Sequence, residues 1–155
     1  MVVAAITPLP AWRPAELCGP EENCVLQKST ALQVLKQSGD RLVDLTAESG
    51  MVLDELGVRA GTSLLIEGGA GGVGSAAVQL ALQRGARVIA TASEANQDYL
   101  RALGAEPLIY GPGLVDRVRQ LVPNGVDAVL DCAGSGSLAD LVTLVPEPSQ
   151  VVSVA

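Results

Sequence analysis

Between Thr62 and Arg84 the sequence passes from a short apolar run to a helical pattern through a loop rich in glycine, and this junction constrains the fold more than any other feature. Thr62–Glu67 (TSLLIE) centres on Leu64, Leu65 and Ile66 and ends in glycines, the pattern of a strand buried in a parallel sheet. Val73–Arg84 follows with Val73, Ala77, Leu80, Ala81 and Arg84 near helical spacing, and Gly85 stops it. The loop between them, Gly69-Ala70-Gly71-Gly72-Val73-Gly74, fits G-x-G-x-x-G with Gly69, Gly71 and Gly74 in the three glycine places. In a chain with 17 Gly that pattern alone is weak, and the strand before it and helix after it give it meaning. In this setting the first glycine permits the tight turn, the second lets a pyrophosphate approach the backbone, and the third lets the helix pack closely on the sheet. N–H groups around Gly72, Val73 and Gly74 then point at the phosphates, helped by the helix dipole. The competing reading is a glycine turn that packs a helix against a strand and binds nothing. Dinucleotide binding is the expectation we adopt.

The same alternation continues to the end of the chain. Arg87–Ala92 (RVIATA) reads as a strand, Glu94–Leu103 as a helix closed by Gly104, and Glu106–Tyr110 as a short strand. Leu114–Val122 reads as a helix ended by Pro123, Val126–Cys132 as a fourth strand, Ser137–Leu144 as a helix and Gln150–Val154 as a last strand. Short strands alternating with helices are the signature of right-handed βαβ units. Residues 1–50 differ in character. Pro8, Pro10, Pro14 and Pro20 exclude a helix interior or central strand there, and only a helix from Ser29 or Thr30 to Ser38 is plausible, with Leu42–Leu45 continuing it. The expected division is an irregular segment over 1–50 and a folded domain over 51–155.

Charge and composition remove several classes of function. The formal charge of −7 argues against a surface that tracks the phosphates of nucleic acid. With no His there is no His-based zinc site and no imidazole acid–base catalysis. Cys18 and Cys24, in a C-x₅-C spacing without a second pair, make poor zinc ligands, so no metal is expected. An odd three Cys and no evident secretory signal favour a reducing, cytoplasmic setting, and no apolar run is long enough to span a membrane. Hydrophobic residues make up 48% of the chain, yet there is no Phe, so the core must be aliphatic.

Ile66–Ala81 (IEGGAGGVGSAAVQLA), Val88–Ala105 (VIATASEANQDYLRALGA) and Gly125–Gly134 (GVDAVLDCAG) resemble, in order, the cofactor domain of the medium-chain dehydrogenase/reductase superfamily. The resemblance is nearest to the zinc-independent quinone oxidoreductases and covers roughly 53–155; enoyl reductase domains of polyketide synthases share the loop style. It implies a Rossmann domain, and with the alternating pattern the expected fold is α/β, a Rossmann-type open parallel sheet of order 3-2-1-4-5 with helices on both faces, preceded by the irregular N-terminal arm read from the prolines. It further implies NADPH as cofactor and hydride transfer to a quinone, enone or similar acceptor in the parent enzyme. Family members carry a GroES-like catalytic domain ahead of this region and a sixth strand after it. Residues 1–50 do not resemble that domain, and the fifth strand runs to the chain terminus. The expectation is therefore an incomplete cofactor domain that binds NADPH with little turnover alone. The alternatives are a non-catalytic truncated product acting as an interaction module and an enoyl reductase-type domain. An uncovered fifth strand would also expose an edge for self-association.

NAD-binding domains of this kind usually place an acid at the end of the second strand, where it holds the ribose hydroxyls and would repel a 2′-phosphate. Here Ala92 stands near that place, which favours NADP, although no Lys or Arg follows directly to pair with the phosphate. The resemblance suggests Ser93 and Asn96 as phosphate contacts, with Tyr99 weaker; the alternative for Ser93 is a helix N-cap. Glu94 could reach a ribose, but Thr91-x-x-Glu94 also fits a capping box, the preferred reading. By resemblance, Ala133 and Gly134 pass near the cofactor's ribose and pyrophosphate. Asp131 reads as a structural carboxylate and Cys132 as a half-buried, unreactive thiol. Tyr110, ahead of Gly111-Pro112-Gly113, reads as a turn residue beside the adenine. Trp12 reads as local packing.

Overall fold

The computed structural model describes residues 45–155, with side chains from Ser49 onward. Helix α1 spans Leu45–Glu55, strand β1 Ser63–Glu67, helix α2 Gly72–Gln83 and strand β2 Arg87–Ala92. A 3₁₀ turn at Glu94–Asn96 leads into α3, Gln97–Leu103, and then β3, Glu106–Ile109. Helix α4 is Leu114–Leu121, β4 Ala128–Asp131, α5 Leu138–Leu141, and β5 Val151–Ser153. The five strands form one sheet in the order β3-β2-β1-β4-β5, and every neighbouring pair is parallel. This is the expected doubly wound α/β fold. The helix expected over Ser29–Ser38, and Trp12, Cys18 and Cys24, lie outside the described residues. The junction expected at residue 50 falls within α1, and Ser49 is tied to the domain through its hydroxyl, which donates to the Val73 carbonyl at 3.3 Å.

The central strands bury both faces, as their nearly unbroken apolar runs require. Leu64 and Ile66 join Val88, Ala90 and Leu130 in a core closed by Leu53 of α1, Ala77, Val78 and Ala81 of α2, and Leu100 of α3. Leu65, Ile89 and Val129 face the other way, against Leu114 and Val118 of α4 and Leu141 and Leu144 near the chain's end. The two sets alternate along each strand, as the period of two in an extended chain dictates. At the end of α3, Gly104 takes a left-handed φ of 102° and its N–H caps the Arg101 carbonyl, so the helix stops where the sequence put glycine.

Three local features differ from the sequence reading. The Thr91-x-x-Glu94 capping box does not form: Thr91 is buried in β2, where its hydroxyl accepts the Gly68 N–H at 3.1 Å, and Glu94 is exposed. The helix expected over 94–103 starts as a 3₁₀ turn with Ser93 at its N-cap position, and the buried Gln97 carboxamide reaches the carbonyls of Ala92 and Leu108 at 3.0 and 3.1 Å. The helix expected over 137–144 is α-helical only to Leu141, then 3₁₀, because the Leu144 carbonyl turns to accept the Val126 N–H at 2.9 Å.

Candidate functional site

The carboxyl ends of β1, β2, β3 and β4 meet along one edge, where ligands bind in sheets of this topology. A cavity of about 520 Å³ opens there between the glycine loop, the end of β2 and the loop after β4. Ala70, Gly71, Ser93, Asn96 and Ala133 line it, together with Gly68, Thr91, Ala92 and Tyr110. A second cavity of about 600 Å³ adjoins it between the loops that follow β3 and β4, and Glu67, Tyr110 and Ser135 line both.

The glycines divide the work differently from the simple motif. The tight turn belongs to Gly68, whose φ of 79° lies in the left-handed region, and not to Gly69. Gly69 is buried because a Cβ there would sit 2.7 Å from Ala90 Cβ and 3.2 Å from a Leu100 methyl. Gly74 admits no Cβ either: it would meet the Gly68 carbonyl oxygen at 2.1 Å, so the first turn of α2 presses directly on the loop. Gly71 is exposed, caps α2, and has only ordinary contact, 3.4 Å, at the position of a Cβ. Gly72, Val73 and Gly74 form the first turn of α2, whose N–H groups lack acceptors within the helix.

Ser93 and Asn96 stand together at the end of β2, the Asn96 carboxamide donating to the Ser93 hydroxyl at 3.1 Å. No Lys or Arg lines either cavity among the described residues. Tyr110 is half exposed on a loop stapled by Arg117, whose guanidinium donates to the carbonyls of Ile109 and Pro112 at 2.8 and 2.9 Å. Tyr99 packs, partly buried, against the core instead.

After β4, Asp131 is buried and does structural work: Oδ1 accepts the N–H groups of Ala133 and Gly134 at 2.9 and 3.0 Å, and Oδ2 accepts the Ser153 hydroxyl at 2.9 Å. The N–H groups of Ala133 and Gly134 are thereby used internally, and Gly134 lies outside the cavity lining. Cys132 is half-buried, and burial, then the neighbouring Asp131 charge, push its thiol up to about 12. A thiol so hard to ionise is a poor nucleophile and a poor metal ligand. Among the described residues no three His, Cys, Asp or Glu side chains cluster as metal ligands, and no helix is long and apolar enough to cross a membrane.

Glu67 is the feature that reading the sequence passed over. It ends β1 as a carboxylate only 1% exposed, accepting the Ser135 hydroxyl on Oε1 at 2.8 Å and the Ser137 hydroxyl on Oε2 at 2.5 Å. The signal available was an acid closing an apolar strand directly before the glycine loop.

The family model described as zinc-binding dehydrogenase matches residues 72–155. The trans-enoyl reductase himH of Aspergillus japonicus is 43% identical over 77 residues, 48% of this chain and 22% of that protein. The solved quinone oxidoreductase from Coxiella burnetii shares 38% identity and superposes with a TM-score of 0.57, over 71% of this chain and 33% of that one. A putative enoyl reductase domain of a polyketide synthase superposes with a TM-score of 0.62 at 29% identity, over 72% of this chain and 67% of that structure. The chain thus spans about a fifth of the first relative and a third of the second.

Proposed function

The chain belongs to the zinc-binding dehydrogenase family, among the quinone oxidoreductase-like medium-chain dehydrogenase/reductases, as a cofactor-binding domain, and we propose that the cofactor it holds is NADPH. The observation that carries this reading is the meeting, around one cavity, of an open helix N-terminus at Gly71 and a neutral polar pair, Ser93 and Asn96, where an acid would select NAD. The described residues fit the dinucleotide: glycines keep the cradle free of side chains, with the Cβ position of Gly71 in ordinary contact, that of Gly74 pressed against backbone and that of Gly69 against the Ala90 and Leu100 side chains. They do not fit a zinc ion, since there is no His in the chain, the Cys132 thiol resists ionisation, and the Asp131 oxygens are occupied. The enzyme is accordingly read as zinc-independent and, from its cysteine usage, as cytoplasmic.

Bound NADPH supplies a hydride. The chain's own residues bind and orient it: the first turn of α2 takes the pyrophosphate on its N–H groups and dipole. Ser93 accepts from Asn96, which leaves the Ser93 O–H and the second Asn96 N–H to donate to the 2′-phosphate. Ala133 lines the same cavity beside Gly68. The acceptor is a quinone or a conjugated enone; the structural likeness to an enoyl reductase domain favours an enoyl acceptor as the second reading. No Lys or His lines either cavity among the described residues, and positioning of an acceptor can supply about 7–11 kcal/mol of such a barrier. This chain alone therefore binds NADPH with little turnover. The half-exposed β5, at the sheet's edge, favours self-association of the chain. Fluorescence titration with NADPH and NADH, alongside a quinone-reduction assay, tests the reading: tighter NADPH binding and slow turnover support it, and brisk reduction refutes the low-turnover part.

A further inference from the structure

We propose that Glu67 sets base specificity in the cofactor cleft by accepting the exocyclic amine of adenine. The inference rests on the NADPH reading and deepens it. Strand alternation turns Glu67, like Leu65, toward the face covered by α4 and α5, beneath the wall shared by the two cavities. Burying a carboxylate is costly unless it is well hydrogen-bonded, and no Lys or Arg pairs with Glu67 among the described residues. Its partners are two neutral hydroxyls, Ser135 and Ser137, whose oxygens lie 2.9 Å apart. A carboxylate offers about four lone-pair sites, so two remain for further donors.

The ligand's own connectivity brings a donor to that place. The pyrophosphate at Gly71 and the 2′-phosphate at Ser93 and Asn96 anchor one ribose inside the 520 Å³ cavity. A base on a ribose so anchored would lie beside the shared wall of Tyr110, Ser135 and Glu67, which opens into the second cavity. There a carboxylate would repel a carbonyl oxygen and attract an amine. Adenine presents two N–H donors on its exocyclic nitrogen, whereas hypoxanthine presents an oxygen at the same position. Sites that hydrogen-bond a donor reject analogues lacking it, because their own polar groups are left unpaired.

The test compares NADPH with reduced nicotinamide hypoxanthine dinucleotide phosphate in fluorescence titrations of the full chain. The wild type is expected to bind NADPH about tenfold tighter. Glu67→Gln, whose carboxamide both donates and accepts, is expected to bring the two nucleotides within about twofold. A wild-type ratio near one, or a ratio unchanged in folded Glu67→Gln, overturns the proposal while leaving NADPH binding intact. Failure of both nucleotides to bind the folded wild type overturns the NADPH reading and this inference together. Should Glu67→Gln not fold, the wild-type ratio decides the matter by itself.

Discussion

Gly74→Ala and Gly71→Ala lie three residues apart in one loop, yet the structure predicts opposite outcomes for them. At Gly74 a methyl group would lie 2.1 Å from the Gly68 oxygen, 2.9 Å from the Gly68 carbonyl carbon and 2.9 Å from Gly69 Cα. Every neighbour is backbone, so no side chain can rotate away. The helix start must retreat by about 0.9 Å to reach even a crowded 3.0 Å contact. Overpacking of this kind costs about 1–3 kcal/mol, and a backbone obstacle places the cost at the upper end. For a body of roughly a hundred residues, about 3 kcal/mol lowers Tm by roughly 12–24 °C. At Gly71 the nearest atom is 3.4 Å away and φ is −76°, so alanine fits. The poorer N-cap propensity of alanine and the reduced unfolded-state entropy oppose each other within about 1 kcal/mol. Its methyl nevertheless projects where the pyrophosphate must approach. Thermal unfolding paired with NADPH titration checks both: Gly74→Ala destabilised, Gly71→Ala near wild-type in Tm but weakened at least tenfold in binding. A Gly74→Ala protein as stable as wild type would refute the close contact between α2 and the loop. Normal NADPH binding by Gly71→Ala would refute pyrophosphate docking at the helix end.

Ser93→Asp should invert the cofactor preference, weakening NADPH more than tenfold through repulsion of the 2′-phosphate while improving NADH; titration of both nucleotides checks it. With Cys18 and Cys24 replaced by Ser, native Cys132 should react with iodoacetamide at pH 7.5 on the order of a thousandfold more slowly than in urea, because its thiol is pushed up to about 12; comparable rates would contradict that environment. Arg87 and Glu106 form a two-pronged pair across β2 and β3, with contacts of 2.5 and 2.9 Å, and the Arg87 hydrogen bond holds the Glu106 carboxyl below its ordinary value of 4.5. A depressed carboxyl pKa favours the charged, folded form, so its stabilisation is complete above the unfolded-state value and fades as pH falls through the lower folded-state value. Both side chains are over two-fifths exposed, so solvent limits the effect to less than about 1 kcal/mol. Urea titrations should show wild type above Glu106→Gln at pH 7 and the gap closing below about pH 4.

The strands and helices were legible because they depend on features local in sequence, apolar runs such as Leu64–Ile66 and Val88–Ala92 and glycines at 85 and 104 that end helices, whereas the sheet order came with the family resemblance. Of the residues that line the cleft, Ala70 and Gly71 were legible in the glycine loop itself, while Ser93, Asn96 and Ala133 came with the family resemblance. What escaped depended on long-range partners. Thr91 matched a helix-capping pattern, but the Gly68 N–H, 23 residues away, claims its hydroxyl. Glu67 read only as the end of a strand, because its partners Ser135 and Ser137 lie 68 and 70 residues further on. Gly68, and not Gly69, takes the left-handed turn, while Gly69 is needed because Ala90 and Leu100 fill the space of a side chain there, which no spacing rule reveals.

The central claim is that this cleft holds NADPH, and its most direct test is a titration of the folded 155-residue chain with NADPH and NADH, followed by nicotinamide fluorescence. The account predicts saturable binding of both, with NADPH the tighter. No saturation by either nucleotide, in a chain shown by circular dichroism to be folded, would mean that the glycine loop only packs a helix against a strand.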